Sequence, residues 1–562
     1  MSKKSAILTT FILFTLIIVG CKEKSSNEEV ELSLGQPIPL TDNRVQIDDK
    51  RLYERDQDDS IKTLYVTVLP NEKTPDFDWY GLNRITERYS DEKLDIIVSE
   101  GEPNRAGPKA GMFGADETKA NAKISIRGNS SRNKTQKSYK IKLMDSVGTW
   151  NDQRTINLNK HVSDGSRLLN KLSFDLMEPI PNISSLRTQF VHLYVKDSTR
   201  GATSYDDYGL YTHTEQPNKQ FLRNHLFDPN GYLYKVTFFE FNRYPDQIRA
   251  HTDVKYEKEV FESILEIKGR EEHDKLISML DDVNDYSIPI DEVVKRHFDE
   301  ENLLTWTAIN ILMDNMDTDA NNFFLYSPLN LDTWLILPWD YDGGWDLQRS
   351  REYVRPYQAG ISNYWSNRLL NRYFRKQENI DKLTAKLEEL NAMYINEKTI
   401  KKQLDLYVPL IKPYVQRSPD NQYLPIIGEH YDRILGGIID TPKNSLVRYY
   451  EDLEKPKPFF MSEKIPLEGN QHVFGWEISF DLQGDDLYYD VKIARDPNMQ
   501  QVLYLEKGMR MNEYRVPKLD KGIYYWEVTV TDSQGNKQTS FELYRDDETD
   551  TNHFGVLQFE VE

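Results

Sequence analysis

Four side chains within one short segment have the types and spacing of a site that handles metal ions and phosphate groups. Asp317 is followed five residues later by Asn322, two short apolar stretches come next, and Asp340 and Asp342 follow the second stretch. Mg²⁺ is held in proteins by carboxylate and amide oxygens together with phosphate oxygens and water. A carboxylate can also orient an attacking hydroxyl group. The segment therefore predicts a metal- and phosphate-binding site at the ends of a hairpin.

The position of each residue in this segment predicts its role. Asp340 and Asn322 suit a metal ion, and Asp317 suits the part of a base or orienting group. Asp342 lies two residues after Asp340. On an extended backbone both carboxylates point to the same side, so Asp342 is expected to bind a second metal ion. The alternative is a structural pair, made of a helix cap and a turn carboxylate.

A second hairpin, at 122–143, is expected to supply positive charge. It consists of two alternating strands and a turn of small residues, at 122–127, 137–143 and 128–131. Such a turn leaves backbone N–H groups free and lets a phosphate approach closely. Arg127, Ser130 and either Lys137 or Lys140 could then neutralise the phosphate. The alternation places the two lysines on opposite faces of the strand. The alternative is a hairpin that faces solvent only.

Longer elements must position these two hairpins. Asp299 is expected to cap a helix that runs to about residue 315 and aims the loop with Asp317 outwards. Strand patterns dominate the first half of the chain, and helix patterns dominate from about residue 256 to 415. This order predicts an α+β fold with two lobes and a cleft.

The pattern changes again near residue 455. Residues 455–458 (Lys-Pro-Lys-Pro) are interpreted as a linker. Short alternating strands then recur, which predicts an all-β sandwich domain with Trp476 and Trp526 in its core. It resembles a fibronectin type III or immunoglobulin-like module. We expect it to contact protein or glycan, or only to space the rest of the chain from its surroundings.

The N-terminus predicts export and a lipid anchor. Lys3 and Lys4 precede a short apolar run at 6–19, which is typical of a secretory signal. Cys21 directly follows Gly20, as in a bacterial lipobox, in which the cysteine carries the lipid. The next residue is lysine rather than the aspartate that favours inner-membrane retention, so we expect attachment to the outer membrane. The alternative is an ordinary signal peptide or a short anchor.

The composition excludes several classes of protein. The net charge of −20 argues against nonspecific nucleic-acid binding. Cys21 is the single cysteine, so the chain has neither a structural disulfide nor a zinc cluster of cysteines. After the N-terminal run no segment is apolar enough to span a membrane. The 562 residues predict several domains.

An ordered set of motifs carries a family resemblance. An Asp and Asn before a hairpin and a metal-binding Asp after it are the layout of protein kinases. The full set, in chain order, is Arg127-Gly-Asn-Ser-Ser131, Lys137-Ser-Tyr-Lys140, Leu169-Asn-Lys-Leu172, Gly209-Leu-Tyr211 with Glu215, Leu233-Tyr-Lys235, Asp317 with Asn322, and Pro338-Trp-Asp-Tyr-Asp342. Over about residues 60–440 this set resembles the CotH family, the kinase-like relatives of spore-coat protein H.

The resemblance implies a two-lobed protein-kinase-like fold, ATP with Mg²⁺ or Mn²⁺, and phosphorylation of protein hydroxyl groups in the cell envelope or outside the cell. It makes Asp317 the catalytic residue and assigns the metal to Asn322 and Asp340. It places the phosphates at the loop from Arg127 to Ser131 and at a lysine, with Lys137 preferred over Lys140. The expected division of the chain is a lipoprotein signal peptide at 1–20, a tether and N-terminal extension at 21–55, a CotH kinase-like domain at 56–454 and the β-sandwich at 455–562.

This sequence departs from ordinary protein kinases, and other functions stay open. No His-Arg precedes Asp317, and Tyr341-Asp342 stands where Phe-Gly is usual. A metal-dependent glycosyltransferase is one alternative, because Asp340-Tyr-Asp342 could hold a sugar nucleotide. A lipid-anchored adhesin or scaffold without catalysis is the other, because ATP is scarce outside the cytoplasm.

Overall fold

The computed structural model describes residues 48–562 except 57–58, 72–75, 88–89, 129, 348, 350–353 and 425–428. The predicted signal peptide, Cys21 and most of the tether lie outside the described residues. Residues Arg44–Glu562 form one compact unit. No helix in the described part of the chain has the length and apolar character that a membrane span requires.

A closed barrel forms the N-terminal part of this unit. Its strands are β1 Ile61–Val68, β2 Leu94–Glu100, β3 Ala122–Arg127, β4 Ser138–Leu143, β5 Thr155–Asn159, β6 Thr188–Asp197 and β7 Asp206–Thr214. They pair in the order β1-β2-β3-β4-β5-β7-β6, and the parallel pairing of β6 with β1 closes the barrel. The hairpin predicted at 122–143 is confirmed as β3 and β4. Alternate apolar residues of these strands fill the interior.

A second sheet carries the acidic segment. Its strands are β8 Tyr232–Val236, β9 Leu265–Ile267, β10 Phe323–Ser327 and β11 Leu335–Pro338, in the order β11-β10-β8-β9. The predicted hairpin between Asn322 and Asp340 is confirmed as β10 and β11, which pair from Phe323 with Pro338 to Tyr326 with Leu335. Both of its strands are buried throughout.

Most of the helices share one hydrophobic core with this second sheet. The α-helices are α1 Trp79–Asn83, α2 Leu169–Met177, α3 Lys219–Asn224, α4 Lys258–Glu262, α5 Asp274–Asn284, α6 Ile290–His297, α7 Glu300–Leu312, α8 Arg368–Phe374, α9 Gln377–Met393, α10 Glu397–Val415 and α11 Glu429–Leu453. Short 3-10 helices lie at Lys50–Arg55, Ser130–Asn133, Asp145–Val147, Ser198–Arg200, Ser362–Tyr364 and Asp420–Gln422. The predicted cap of α7 is confirmed, because the Asp299 side chain accepts a hydrogen bond from the Asn302 N–H.

The C-terminal region is all-β, as predicted. Its strands are β12 Leu467–Glu468, β13 Gln471–Gly475, β14 Leu487–Ala494, β15 Val502–Met509, β16 Glu513–Pro517, β17 Gly522–Asp532, β18 Lys537–Thr539, β19 Leu543–Asp546, β20 Thr551–Phe554 and β21 Val556–Val561. One sheet has the order β12-β13-β16, and a second has the order β15-β14-β17-β18 with β21 on β17. Side chains from both sheets share one hydrophobic core, which includes Trp476 and Trp526.

The segment predicted as a linker is instead packed. Lys457 is fully buried, and its backbone N–H donates to the Phe480 carbonyl at 2.8 Å. The Phe480 ring stacks on Trp365 of the helical region with 5.7 Å between ring centroids. The segment therefore connects the two regions while contacting both, because the Lys457 ammonium group pairs with Asp452 of α11 and its backbone pairs with Phe480.

Candidate active site

Helix α7 fixes both ends of the acidic hairpin. The buried Asn302 amide pairs with the backbone of Ile336 in β11, accepting from its N–H at 2.7 Å and donating to its carbonyl at 3.2 Å. The chain leaves the C-terminal end of α7 directly into the loop with Asp317, and β11 leads directly to Asp340. The amide contact therefore fixes the two acidic segments relative to one another.

Asp317 and Asn322 are brought together within one loop. The Asn322 Nδ2 donates to the Asp317 carbonyl and to its Oδ2, both at 2.9 Å, and the Asn321 Nδ2 donates to its Oδ1 at 3.1 Å. Asp317 is exposed to solvent on one side. Crowding by protein atoms raises the pKa of Asp317, the two amide donors lower it, and the Asp342 carboxylate raises it again.

Asp340 and Asp342 flank a buried anchor. Tyr341 is fully buried, and its N–H donates to the Asn170 Oδ1 at 3.0 Å. The prediction of an extended backbone here was wrong, because Asp340 has a φ of 60° and lies in the left-handed region. The two carboxylates nevertheless interact. Burial raises the pKa of Asp340, and the negative charge of Asp342 raises it further.

His161 is a member of the site that the sequence reasoning missed. Its Nδ1 lies 2.9 Å from the Asp342 Oδ2, and its side chain is almost entirely buried. Burial would raise the pKa of Asp342, but the hydrogen bond and charge of His161 hold it below its ordinary value. The neighbouring Lys160 is buried in an ion pair with Asp420 at 2.9 Å, which anchors this part of the chain.

Arg127 faces the acidic pair from the end of β3. Its guanidinium donates to the Asn159 Oδ1 and lies over the Trp339 ring, 5.7 Å from the centroid. Burial lowers the pKa of Arg127 to about 10, and the charges of Asp340 and Asp342 oppose that shift. The predicted phosphate-side arginine and the predicted metal-side carboxylates therefore lie within electrostatic reach of one another, although they come from different sheets.

The loop after Arg127 is a tight turn that a hydrogen bond from Arg132 stabilises. Gly128 has a φ of 91°, and a Cβ on it would lie 1.9 Å from the Ser131 Oγ, so only glycine fits. The buried Arg132 donates to the Gly128 carbonyl at 2.6 Å. Ser131 is half-buried. Asn129 and the side chain of Ser130 lie outside the described residues.

The strand alternation places the two candidate lysines on opposite faces, as expected, but the preferred Lys137 lies on the buried face. Lys137 is buried, and its ammonium group donates to the Arg132 carbonyl and, at 3.5 Å, to the Ile85 carbonyl. Lys140 is exposed on the side of Arg127. Crowding lowers the pKa of Lys140 to about 8, and the charges of Lys268 and Arg127 add to the effect. The geometry therefore reverses the preference for Lys137.

Comparisons with known proteins agree with the motif order. The family described as CotH kinase protein matches residues 124–443, more than half of the 562-residue chain. This chain belongs to the CotH family. One relative, the inner spore coat protein H of Bacillus subtilis (strain 168), is 24% identical over 350 residues, which are 60% of this chain and 88% of that protein.

Within the CotH match lie all candidate residues except Cys21. The match begins inside β3 and ends inside α11, so β1, β2 and the C-terminal all-β region lie outside it. The domain limits at 56 and 454 stay predictions. The lipidation of Cys21 and the fibronectin- or immunoglobulin-like character of the C-terminal region also stay predictions.

The fold also contributes two lysines, Lys235 and Lys268, that the sequence analysis did not predict as site residues. Lys235 and Lys268 both pair with Glu266 in the second sheet, at 3.1 Å and 2.7 Å. Burial would raise the pKa of Glu266, but the two lysines lower it to about 2. Lys268 lies within electrostatic reach of Lys140. Lys235 belongs to a CotH motif, whereas Lys268 and His161 carried no pattern that a single sequence could reveal.

Proposed function

We propose that this CotH protein is a kinase-like phosphotransferase that binds ATP with Mg²⁺ or Mn²⁺ and phosphorylates Ser or Thr hydroxyl groups of proteins. The observation that carries the proposal is the convergence of Asp317, Asp340 and Asp342 opposite Arg127. Phosphoryl transfer needs positive charge at the phosphate oxygens and a carboxylate that orients the hydroxyl. The family description supports the same class of reaction.

Each residue has a role that its contacts support. Asp317 is open to solvent and orients the attacking hydroxyl group, whose proton it accepts. The bond between the terminal phosphorus and the ADP oxygen breaks, and a bond from that phosphorus to the hydroxyl oxygen forms, giving ADP and a phosphate ester. Arg127 and Lys140 stabilise the phosphate oxygens, and the turn from Gly128 to Ser131 offers backbone N–H groups to them.

The donor set fits a hard divalent cation. Asp340 and Asp342 are neighbouring carboxylates, and their mutual repulsion is relieved by a cation. Asn322 uses its amide nitrogen toward Asp317, which leaves its amide oxygen as a ligand. Mg²⁺ prefers one or two carboxylates together with phosphate oxygens. When bound, the ion neutralises charge on the phosphates.

A combined binding and transfer assay tests this proposal. We expect ATP with Mg²⁺ to raise the Tm of the wild-type protein, because a ligand that binds only the folded state stabilises it. Asp340→Ala should lose the shift and the transfer of labelled phosphate. Asp317→Asn should keep the shift and lose the transfer. Asp332→Asn is the matched control, because Asp332 is exposed at the turn of the same hairpin.

Other outcomes of this assay would contradict the kinase proposal and favour a different function. A Tm shift with UDP-sugars and none with ATP would contradict the kinase and favour a glycosyltransferase. No shift with any nucleotide would contradict both enzymes and favour an adhesin or scaffold. Unchanged transfer in Asp340→Ala would show that the metal assignment is wrong.

We further propose that the protein acts outside the cytoplasm, attached by a lipid on Cys21, in the outer membrane. The support is the apolar run at 6–19 followed by Gly20 and Cys21, and the matched relative is named as an inner spore coat protein. Cys21→Ser should move the protein from the membrane fraction to the soluble exported fraction. Membrane attachment that persists in the variant would contradict the lipid anchor.

A further inference from the structure

Three aspartates meet at one end of the C-terminal all-β region, outside the family match. Asp481 and Asp485 lie in the loop before β14, and Asp532 is the last residue of β17. One carboxylate oxygen from each lies within 4.8 Å of the others. Asp481 and Asp532 are only 7% and 3% exposed. Two buried carboxylates and one half-buried carboxylate therefore share a small volume.

Backbone turns hold two of these side chains in place. The Asp481 Oδ1 accepts from the backbone N–H groups of Gln483 at 3.0 Å and of Asp485 at 2.9 Å. The Asp532 Oδ1 accepts in the same way from Gln534 at 2.9 Å and from Asn536 at 2.8 Å. The turn at Asp532 also holds the second oxygen of that carboxylate, because the Asn536 Nδ2 donates to the Asp532 Oδ2 at 2.8 Å. The Asp485 Oδ1 accepts from the Ser533 Oγ at 2.7 Å. The turn at Asp481 accounts for only one of its two oxygens.

The second oxygen of Asp481 shows that the cluster is incomplete. The Asp481 Oδ2 is buried and has no hydrogen-bond partner. A buried polar atom without a partner is costly, and most such atoms in proteins bind water or an ion. Within the described residues, no lysine or arginine forms an ion pair with the three carboxylates. The nearby Lys457 is engaged with Asp452, whose Oδ2 lies 3.7 Å from its ammonium group.

We propose that Asp481, Asp485 and Asp532 form a Ca²⁺ site. Ca²⁺ takes six to eight oxygen ligands at about 2.3–2.6 Å and tolerates irregular geometry, whereas Mg²⁺ needs a near-ideal octahedron with bonds of about 2.0–2.1 Å. Oxygens up to 4.8 Å apart can share one ion of the larger size. Carbonyl groups of the two turns and water complete the shell.

The site would stiffen the junction between the C-terminal region and the helices. Asp481 directly follows Phe480, whose ring stacks on Trp365 of the helical region. Asp532 begins the turn between β17 and β18. The ion therefore ties this turn to the segment that contacts the helices.

Calcium titration of the whole chain by calorimetry tests the site. All variants carry Asp340→Ala, which removes the other candidate metal site. We expect Ca²⁺ to bind this background, Asp481→Asn to abolish the binding, and Asp485→Asn to weaken it about tenfold or more. Asp486→Asn is the matched control, because Asp486 adjoins the cluster but is exposed and pairs with Arg510 at 2.9 Å. Absence of Ca²⁺ binding to the background, or unchanged affinity in Asp481→Asn, would overturn the proposal.

A second measurement separates loss of the site from loss of the fold. Asp485 is half-buried, so Asp485→Asn is expected to keep the circular dichroism spectrum of the background. Ca²⁺ should raise the Tm of the background and should raise the Tm of Asp485→Asn less. If Asp481→Asn does not fold, Asp485→Asn decides. Equal affinity for Mg²⁺ would overturn the assignment to calcium.

Discussion

The two aspartate clusters of this molecule are held by different groups. In the candidate active site, the His161 Nδ1 lies 2.9 Å from the Asp342 Oδ2, and the charges of Asp340 and Asp342 act on Arg127. In the C-terminal cluster, backbone N–H groups and the neutral side chains of Ser533 and Asn536 hold the carboxylates. No lysine or arginine among the described residues forms an ion pair with them, although the charge of Asp481 acts on the buried Lys457. A metal–phosphate complex brings its own negative charge and needs cations beside it, whereas a bare cation needs only oxygens. The groups in direct contact with the carboxylates, rather than the number of aspartates, distinguish the two sites.

The largest expected effect is a separation of the two sites by mutation. Asp340→Ala should lower phosphate transfer by roughly 10²- to 10³-fold, because one electrostatic contact to the reacting groups has about this value. It should leave the calcium stabilisation of the C-terminal region unchanged. Asp481→Asn should show the reverse pattern. Loss of both properties in either single variant would contradict two independent sites.

The contact from His161 provides a further comparison, because the side chains that orient the C-terminal carboxylates are the neutral Ser533, Gln534 and Asn536. His161→Ala should weaken the apparent affinity for Mg²⁺ by about 10- to 100-fold, the usual effect of removing a group that orients a metal ligand. His161→Asn should recover part of the loss, since asparagine tolerates the φ of 48° and offers a donor near the place of Nδ1. The measurement is the transfer rate as a function of Mg²⁺ concentration. Equal losses in both variants would argue against the positioning role.

The two lysines of the β4 hairpin provide a matched pair. Lys140→Met should raise the KM for ATP by about tenfold, or about 1.4 kcal/mol, because a cation beside the phosphates is lost. Lys137→Met should leave this KM unchanged. It should lower the free energy of unfolding by about 1–3 kcal/mol, because buried carbonyl groups lose their donor. The opposite assignment of the two effects would restore the original preference for Lys137.

A third charged group, His225, has a carboxylate partner on each ring nitrogen and serves as a comparison for the two aspartate clusters. His225 is buried between Asp48 at 2.7 Å and Glu215 at 2.9 Å. Burial would lower the pKa of His225, but the carboxylates raise it to about 9. The resulting stabilisation is complete below the unfolded pKa of about 6.5 and is lost as the pH rises through about 9.

The smallest expected effect follows from this pair of carboxylates. The Tm difference between the wild-type protein and His225→Gln should be largest near pH 6 and should shrink near pH 9. Thermal unfolding at the two pH values is the measurement. A Tm difference that does not change with pH would contradict a charged His225.

Local sequence patterns were sufficient to predict those helices and hairpins whose interacting residues are close in the sequence. The capped helix α7, the hairpin of β10 and β11 and the hairpin of β3 and β4 follow from alternation, turn residues and a capping aspartate. Helix α11 was missed, because Gly436, Gly437 and Pro442 argue against a helix. Tertiary packing overrides that propensity, since Ile438 and Tyr449 of α11 are buried in the core.

The sequence alone determined the CotH motif order, the acidic hairpin and the all-β character of the C-terminal region. Only the tertiary structure decided the closure of the barrel and the approach of His161 to Asp342 across 181 residues. It also brought Arg127 within electrostatic reach of Asp340 and Asp342. It further decided that Lys137 is buried against backbone carbonyls and that Lys140 is exposed. The physical reason is that local backbone preferences act within a few residues, whereas these contacts depend on how two sheets pack and which face each strand buries.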